Sequence, residues 1–492
     1  MSEPQSVDTL LKNAYVVTVD QGRRVFTDGY VAFQGGRIIS VGPMADISDR
    51  NLKADETIDC SGKAVFPGFT NAHNHLIQVF FRGYNDDRWP ILDFPAAISK
   101  LLKQQALVTD RLNEERSYIL ARLHALDLIR SGYIGTHDEH FTNSQRFSVD
   151  GSWRALDESG LRGFLCRCIV NSDKVPEADR ESVDDGLREV ERLKAKFDTS
   201  RLEVATGFLN YQYLADPEDM SRIADASAAM GVRLDVDMTD NTRGKALEAR
   251  GYKGGQVEYY RDFGVLERPM YAGKAVNLLP HEFDILAEHD GRVGLVPILR
   301  QFDAVGLPVH HFLSRGVLPG IGTDGPMVSD SQNIFEMMRH VLFAQNLAIK
   351  QEQREGLPAP NASHWAVSET LIEMATLGSA RTLFMDDTTG SLEVGKAADC
   401  VIADLNRANL RPTQQDRRTL GVLVWAGAAD AVDTIFVEGR KLLDGGKSTI
   451  WDEDEVIRDA ERVLIEIAAE TDLPSLMPGR APGRQYRGWT YI

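Results

Sequence analysis

The sequence predicts an α/β protein in which a (β/α)8 TIM-like barrel is joined to a composite β-sandwich made from the N- and C-terminal segments. Three observations predict this architecture. Strand and helix patterns alternate over residues 68–385, both flanking segments carry strand patterns, and 492 residues suit a large barrel with one smaller domain.

The flanking segments 1–67 and 386–450 share a β-rich texture. Runs such as LLKNAYVVTVD and GYVAFQGGRIISVG on one side, and GSLEVGKAADCVIADLN and AVDTIFVEGRKLLDGG on the other, alternate apolar and polar residues between glycine turns. Because these two ends bracket one barrel, we expect them to pair into a single sandwich.

Residues 68–385 form the predicted barrel. Short apolar runs such as RGFLCRCIV, RLEVATGF and GVRLDVDM alternate with helical segments such as Leu112–Ile129 and Asp216–Met230, as in parallel strands linked by crossover helices. The tail 451–492 holds an amphipathic helix, Glu453–Ala469, and a finish rich in Pro, Gly and Arg. We expect that finish on the surface or on a neighbouring subunit of a homo-oligomer.

Charge and composition exclude some classes of partner. The formal net charge of −18 disfavours nucleic acid and anionic membranes, because both are negatively charged. Met1–Leu10 shows no secretory pattern, and no stretch approaches the roughly 18 apolar residues of a membrane span. Four cysteines are too few for a disulfide framework, so we expect a cytoplasmic protein with a small-molecule substrate.

The strongest chemical signal is PGFTNAHNHLIQ. His73 and His75 lie two residues apart at the end of an apolar strand, so both imidazoles leave the same face and form half of a metal site. A second signal is VLPGIGTDGPMVSDSQ, where Asp324 follows a short apolar strand. A carboxylate at the end of a barrel strand can bind a metal and take a proton from water, although a lone Asp-Gly is more often a turn.

Together these passages resemble the amidohydrolase superfamily, and specifically its metal-dependent deaminase and triazine chlorohydrolase branch. VFPGFTNAHNHL is similar to the family's first-strand motif, GIGTDG to its eighth-strand motif, and ATLGSARTL to its barrel-closing helix. The resemblance covers nearly the whole chain. It implies one divalent metal ion and hydrolysis through metal-activated water.

The fifth and sixth strands depart from the family pattern. Where relatives carry a His-x-His-x-x-Glu run, this chain has LDVDMTD, with Asp237 at the ligand position and Asp240 at the glutamate position. In MYAGKAVNL, Gly273 stands where the sixth-strand imidazole would be. The predicted metal ligands are therefore His73, His75, Asp324 and Asp237, with Asp324, Asp240 and Asp237 as the catalytic residues. More oxygen ligands shift the expected metal from Zn towards Mn or Fe without excluding Zn.

Substrate contacts are expected from the loops and strand ends around this site. The long aromatic loop after the first strand and the polar ends of later strands suit a small planar ligand. On SGYIGTHDEHF, which we place at the end of the third strand, alternation puts His137 and Glu139 on one face and Asp138 and His140 on the other. The candidate substrate-binding residues are Gln78, Arg82, Trp89, Glu139, His140, Asn210, Tyr211 and Asp235.

The favoured hypothesis is a metal-dependent hydrolase acting on a C–N bond of a small cyclic substrate, of the deaminase or amidohydrolase type. Water activated by the metal would attack an sp² carbon, and Asp240 or Asp324 would move the proton. A second hypothesis is non-hydrolytic chemistry (lyase, decarboxylase, isomerase or cyclase) that uses Asp235, Asp237 and Asp240 as acid and base. A third is a non-catalytic binding protein that descends from such an enzyme.

Overall fold

The computed structural model describes residues 5–83, 105–240, 244–302, 306–413, 416–471, 485–486 and 489–490. Its strands outside the barrel are Gln5–Val17, Val25–Gln34, Arg37–Pro43, Leu52–Asp59, Lys63–Pro67, Cys400–Asp404, Val432–Val437, Arg440–Asp444, Lys447–Ser448, Gln485–Tyr486 and Trp489–Thr490. The α-helices are Ile47–Arg50, Glu114–Arg130, Ser148–Ser159, Val183–Phe197, Glu218–Met230, Lys245–Ala249, Gln256–Asp262, Glu282–Glu288, Pro297–Phe302, Val309–Leu313, Ile334–Arg354, Ser368–Glu373, Ser379–Thr382, Arg418–Ala426 and Glu453–Glu470.

Eight parallel strands form the barrel. In order they are Phe69–Asn71, Tyr133–His140, Arg162–Cys168, Leu202–Phe208, Arg233–Thr239, Met270–Val276, Arg292–Leu295 and Gly320–Ile321. Each strand pairs with the next in parallel register, as crossover helices require. All eight residues of Tyr133–His140 are buried, because helices cover the outer face while side chains fill the interior.

Backbone hydrogen bonds join the first strand to the eighth. The amide of Ala72 donates to the carbonyl of Ile321 at 3.0 Å, and the amide of Asp324 donates to the carbonyl of His73 at 3.0 Å. These bonds bring the two strongest sequence motifs together at the carboxyl ends of the strands, where barrel enzymes carry their active sites.

Both ends of the chain contribute to one nine-stranded mixed sheet. Lys63–Pro67 pairs antiparallel with Cys400–Asp404, so the N-terminal and C-terminal strands meet at the middle of this sheet. The predicted fold class, a (β/α)8 barrel with a second β domain composed of both ends, is therefore confirmed. The exact limits of the two domains stay a prediction.

One strand number in the sequence analysis was wrong. Tyr133–His140 is the second barrel strand and not the third, because residues 72–132 supply no extra barrel strand among the described residues. The segment instead contains the turn Leu76–Phe81 and the helix Glu114–Arg130.

A buried ion pair links the barrel to the nine-stranded sheet. Arg162, at the start of the third barrel strand, donates to both carboxylate oxygens of Asp399 at 2.7 and 3.2 Å. The side chains are 2% and 0% exposed, and Asp399 also accepts from the amide of Glu438 at 2.7 Å. Removing Arg162 would leave Asp399 buried without a charge partner, and removing Asp399 would leave Arg162 with only the carboxylate of Glu438 at 3.3 Å. This pair therefore stabilises the contact between the two domains.

The C-terminal helix Glu453–Glu470 confirms the predicted amphipathic helix. Asp452 caps the N-terminus of this helix, because its side chain accepts a hydrogen bond from the amide of Glu455. The buried residues recur on one face of the helix, at Val456, Ala460, Val463 and Ile467. That face packs over the helix Glu114–Arg130 and the turn after the first barrel strand. Among the described helices, none combines the length and the apolarity needed to cross a bilayer.

Candidate metal centre and its surroundings

The first barrel strand delivers two imidazoles with defined tautomers. Tyr271 donates its hydroxyl hydrogen to the carbonyl of Ala72 at 2.8 Å, so Nδ1 of His73 is the donor in its own 2.8 Å bond to the tyrosine oxygen. Nδ1 of His75 likewise donates to the carbonyl of Glu139 at 2.7 Å. In both rings Nε2 is left with its lone pair, as metal ligation requires. Burial, followed by the charge of Lys274, lowers the pKa of His73 well below its ordinary value, so this imidazole is neutral.

Glu139 faces these two imidazoles from the second strand. Its Oε2 lies 3.9 Å from Nε2 of His73 and 3.8 Å from Nε2 of His75. The predicted alternation on this strand is confirmed, because Asp138 points to the helical layer and accepts from the indole of Trp153 at 2.8 Å. Burial, and then the neighbouring Cys168 and Asp237, raises the pKa of Glu139 well above its ordinary value.

Asp324 completes the cluster from the end of the eighth strand. Its Oδ1 lies 3.1 Å from Nε2 of His75 and 4.0 Å from Nε2 of His73, and it accepts from the amide of Gly325 at 2.9 Å. Burial alone would raise the pKa of Asp324, but Lys274 and His75 outweigh burial and hold that pKa well below its usual range. The residue has a φ of 62°, in the left-handed region that aspartate and asparagine adopt more readily than most other residues apart from glycine.

The donor atoms of these four residues fit a divalent metal ion. Four N–O distances between the imidazole and carboxylate groups span 3.1–4.0 Å. Ligands that each lie about 2.1 Å from an ion are themselves roughly 3.0–3.4 Å apart, so the longest of these distances, 4.0 Å, must shorten by roughly 0.6–1.0 Å when an ion is bound. Among the described residues, Nε2 of His73, both carboxylate oxygens of Glu139 and Oδ2 of Asp324 are buried without a hydrogen-bond partner. Such polar atoms are costly to bury unless a cation compensates them.

Asp237, a predicted ligand, has a different partner. Its Oδ2 lies 2.9 Å from the ammonium of Lys274, and its Oδ1 accepts from the hydroxyl of Thr239. The same ammonium lies 3.6 Å from Oδ2 of Asp324. Burial alone would lower the pKa of Lys274, but the carboxylates of Asp237 and Asp324 raise it above its ordinary value. A fixed positive charge therefore lies close to the carboxylates of both Asp237 and Asp324, and the role of Asp237 as a metal ligand stays a prediction.

Lys274 was missed because a local irregularity turns it inward. Along the fifth and sixth strands Asp237 pairs with Gly273, but Thr239 pairs with Val276, so the sixth strand contains one extra residue. Lys274 and Ala275 have φ values of 58° and 46° at this bulge. Strict alternation would not bring Lys274 to the site, and the only signal in the sequence was a lysine at the end of a barrel strand.

A second buried pair lies beside the cluster. Nε2 of His137 is 2.6 Å from Oδ2 of Asp235, and both side chains are fully buried. The ring of His137 stacks on Tyr271 at 4.6 Å between centroids, and Tyr271 in turn holds His73. Asp235, a predicted substrate contact, thus has a histidine partner on the second strand.

Two other predicted substrate residues near the first strand have different positions. Gln78 is buried and its side chain packs against the backbone of Gly325, beside the cluster. Arg82 is directed away, because its guanidinium donates to Asp127 on the neighbouring helix at 2.6 Å. Trp89 lies outside the described residues.

The remaining predicted residues are engaged in local structure. His140 is on the outer face of its strand, with Nε2 3.2 Å from both the carbonyl of Thr142 and the hydroxyl of Ser148. Asn210 donates a hydrogen bond to the carbonyl of Thr239 at 3.1 Å, and Asp240 accepts one from the amide of Gly244 at 2.8 Å. Tyr211 is buried and its ring packs against other tyrosine rings. Tyr213, which is not among the predicted substrate-binding residues, has its pKa raised to about 12 by burial and by the charge of Asp237.

Fold and site together define a metal-dependent barrel hydrolase, and residues 64–442 match the model of the amidohydrolase family. The chain belongs to this family. It is 31% identical to a 5-methylthioadenosine/S-adenosylhomocysteine deaminase of Desulforudis audaxviator over 455 residues, which cover 92% of this chain and 97% of that protein. It is 30% identical to a 5'-deoxyadenosine deaminase of Methanothermobacter thermautotrophicus, over 88% of this chain and 95% of that protein.

Solved structures share the fold at lower identity. An atrazine chlorohydrolase of Arthrobacter aurescens complexed with zinc has a TM-score of 0.81 at 21% identity and covers 93% of this chain and 100% of its own. An adenosine deaminase of Xanthomonas campestris with bound zinc has a TM-score of 0.77 at 21% identity, with coverages of 95% and 100%. The family match and the deaminase relatives confirm the predicted family and the prediction of a hydrolase acting on C–N bonds.

Proposed function

We propose that this protein is a hydrolytic deaminase that removes an exocyclic amino group from the purine ring of a small adenine nucleoside. The observation that carries the proposal is the buried cluster of His73, His75 and Glu139, whose ligand atoms lie within 4.8 Å of one another, with the carboxylate of Asp324 3.1 Å from Nε2 of His75. The names of the two relatives supply the substrate class, since each acts on an adenosine derivative.

The proposed ligand set is His73, His75, Asp324 and Glu139. Two imidazoles and two carboxylates accept Zn²⁺, Mn²⁺ or Fe²⁺. A divalent cation at this point would lower the pKa of water and so supply a nucleophile near neutral pH. The raised pKa of Glu139 supports its place in the set, because burial and the neighbouring Cys168 and Asp237 disfavour its charged form and a bound cation would offset them.

Asp324 is the proposed proton carrier. Its Oδ1 is turned to His75, while Oδ2 has no hydrogen-bond donor within the described residues and faces the ammonium of Lys274 at 3.6 Å. Oδ2 would take a proton as water adds to the ring carbon and would return it to the departing nitrogen. The carbon–nitrogen bond breaks, the ring carbon keeps the oxygen of water, and ammonia leaves.

Lys274, Gln78 and Tyr213 would surround the ring. Lys274 carries a fixed positive charge at the sixth strand, where relatives use an imidazole, and can donate a hydrogen bond to developing negative charge. Gln78 adds a polar group beside Gly325, and Tyr213 adds a hydroxyl whose pKa is raised by burial and by the charge of Asp237. A small planar ligand suits a pocket with a few fixed polar groups.

Ammonia release is the test of this proposal. Metal-loaded protein would be incubated with adenosine, 5'-deoxyadenosine, 5-methylthioadenosine and S-adenosylhomocysteine, with His73→Ala as the inactive control. We expect ammonia and the corresponding 6-oxo product in equal amounts from at least one of them, and none from the control. Ammonia from other ring amines alone would contradict the nucleoside assignment, and none from any amine would contradict the deaminase.

A further inference from the structure

A second group of metal-binding side chains lies outside the barrel interior, on two helices of the outer layer. His310 and His311 belong to the helix Val309–Leu313, and Glu352 belongs to the long helix Ile334–Arg354. Nε2 of His310 lies 2.8 Å from Oε2 of Glu352, and Nε2 of His311 lies 2.9 Å from Oε1. One ligand atom from each residue falls within 4.8 Å of the others.

The geometry points to a second site for a divalent cation of the zinc type, held by His310, His311 and Glu352. Two imidazole nitrogens and one carboxylate form a three-ligand set that zinc adopts in proteins, with water at the open position. The two nitrogen–oxygen distances are already shorter than the roughly 3.0–3.4 Å between ligands of one ion. A cation would take the place of the two imidazole–carboxylate hydrogen bonds, with three ligand atoms that already lie within 4.8 Å of one another.

The three side chains differ in burial, and the more exposed ones would let a cation enter from solvent. The side chain of His310 is 4% exposed, and its Nδ1 is buried without a hydrogen-bond partner among the described residues. The side chains of Glu352 and His311 are 19% and 31% exposed, so one side of the cluster is open to water. His311 is fixed by its ring contacts, 4.4 Å from His310 and 5.0 Å from Phe283 between centroids.

The surroundings supply a further imidazole and room for water ligands. The turn Ala362–His364, which carries His364, packs against the helix Val309–Leu313. A cavity of about 240 Å³ borders Glu352 and is lined also by Glu355 and by residues 275–278 at the end of the sixth barrel strand.

A cation here would link the two helices that flank the eighth barrel strand in the chain. The helix with the two histidines precedes Gly320–Ile321 in the chain, and the helix with Glu352 follows it. Asp324 lies directly after this strand, so the two linked helices flank the segment that carries a proposed ligand of the catalytic metal. The second site is built from other residues and does not depend on the proposed function.

Zinc binding by full-length variants tests this inference. Protein dialysed against low micromolar zinc would be analysed for zinc per chain, with His311→Asn and Glu352→Gln as test variants. The matched control is His289→Asn, since His289 is also partly buried, directly after the helix Glu282–Glu288, and its ring bonds to the carbonyl of Ile285 at 2.8 Å and to no carboxylate among the described residues. We expect each test variant to hold one zinc fewer than the parent and the control.

A second readout separates this site from the catalytic one. Zinc should raise the unfolding temperature of His73→Ala protein but not of protein that also carries His311→Asn. The inference is overturned if the parent, His311→Asn and Glu352→Gln hold equal zinc, or if the extra ion binds only at millimolar concentration. If only the ion that depends on His73 is found, the second site is refuted and the proposed function stands. If only the ion that depends on His311 is found, the second site stands and the proposed catalytic metal is refuted.

Discussion

Replacing Lys274 by methionine should tighten metal binding at the barrel site. The ammonium lies 2.9 Å from Asp237 and 3.6 Å from Asp324, so it competes with a metal for two carboxylates. Methionine keeps most of the volume and removes the charge. Asp237 would then be free to turn towards the metal as an additional anionic ligand.

The size of this effect follows from the distances. Two unit charges 3.6 Å apart interact by about 4–5 kcal/mol at an effective dielectric constant of 20. Hydration and rearrangement of the released carboxylates offset most of that energy, so we expect a net gain of about 1–2 kcal/mol. This corresponds to zinc binding that is roughly 5- to 30-fold tighter.

Competition with a chromophoric chelator measures the zinc affinity directly. Lys274→Arg keeps the charge and should leave the affinity within about threefold of the parent. The double variant Lys274→Met/Asp237→Asn should lose most of the gain, because the released carboxylate is gone. If Lys274→Met bound zinc as weakly as the parent or more weakly, the ammonium would not be competing with the metal.

Three further predictions concern the hydrogen bond between Tyr271 and His73, the buried ion pair between the two domains, and the pH dependence of stability. Tyr271→Phe removes the oxygen that accepts from Nδ1 of the first motif histidine, and zinc affinity should fall about 10- to 100-fold in the same chelator assay; an unchanged affinity would contradict the tautomer argument. Asp399→Asn leaves the buried guanidinium of Arg162 with only the carboxylate of Glu438, 3.3 Å away and 42% exposed, and should lower the free energy of unfolding by about 3 kcal/mol in urea. Asp430→Asn, at a pair whose carboxylate is 67% exposed, should change it by less than about 1 kcal/mol. Burial lowers the pKa of both His124 and His140 from the ordinary histidine value of 6.5 to about 3. Between these two pH values the two imidazoles are protonated in the unfolded chain but stay neutral in the folded chain. The free energy of unfolding should therefore fall by up to about 3 kcal/mol per pH unit as the pH drops from 6 to 4, and His140→Asn should remove about half of that slope; equal slopes in both proteins would refute it.

The sequence was sufficient for the barrel, the β domain and the two motifs that meet in the site. His73 and His75 could be located because alternation on one strand is a local property, and Asp324 because it ends a short apolar strand. The hydrogen bonds that join these motifs follow from barrel closure. Local pattern and strand order together therefore predict which strand ends converge.

The detailed contacts of the site required the structure. Asp237 was a reasonable ligand by position, but its nearest charge is Lys274, which a bulge between Gly273 and Val276 turns inward. Glu139 was expected to contact substrate, while its carboxylate faces both motif histidines. These differences depend on the distance between side chains on separate strands, which no single segment of sequence specifies.

The most direct test of the proposed metal centre is the metal content and zinc affinity of Glu139→Gln beside Asp237→Asn. The account predicts that Glu139→Gln holds about one metal fewer per chain than the parent and releases no ammonia, while Asp237→Asn keeps its metal. Loss of metal in Asp237→Asn, with full retention and activity in Glu139→Gln, would contradict it and return Asp237 to the ligand set.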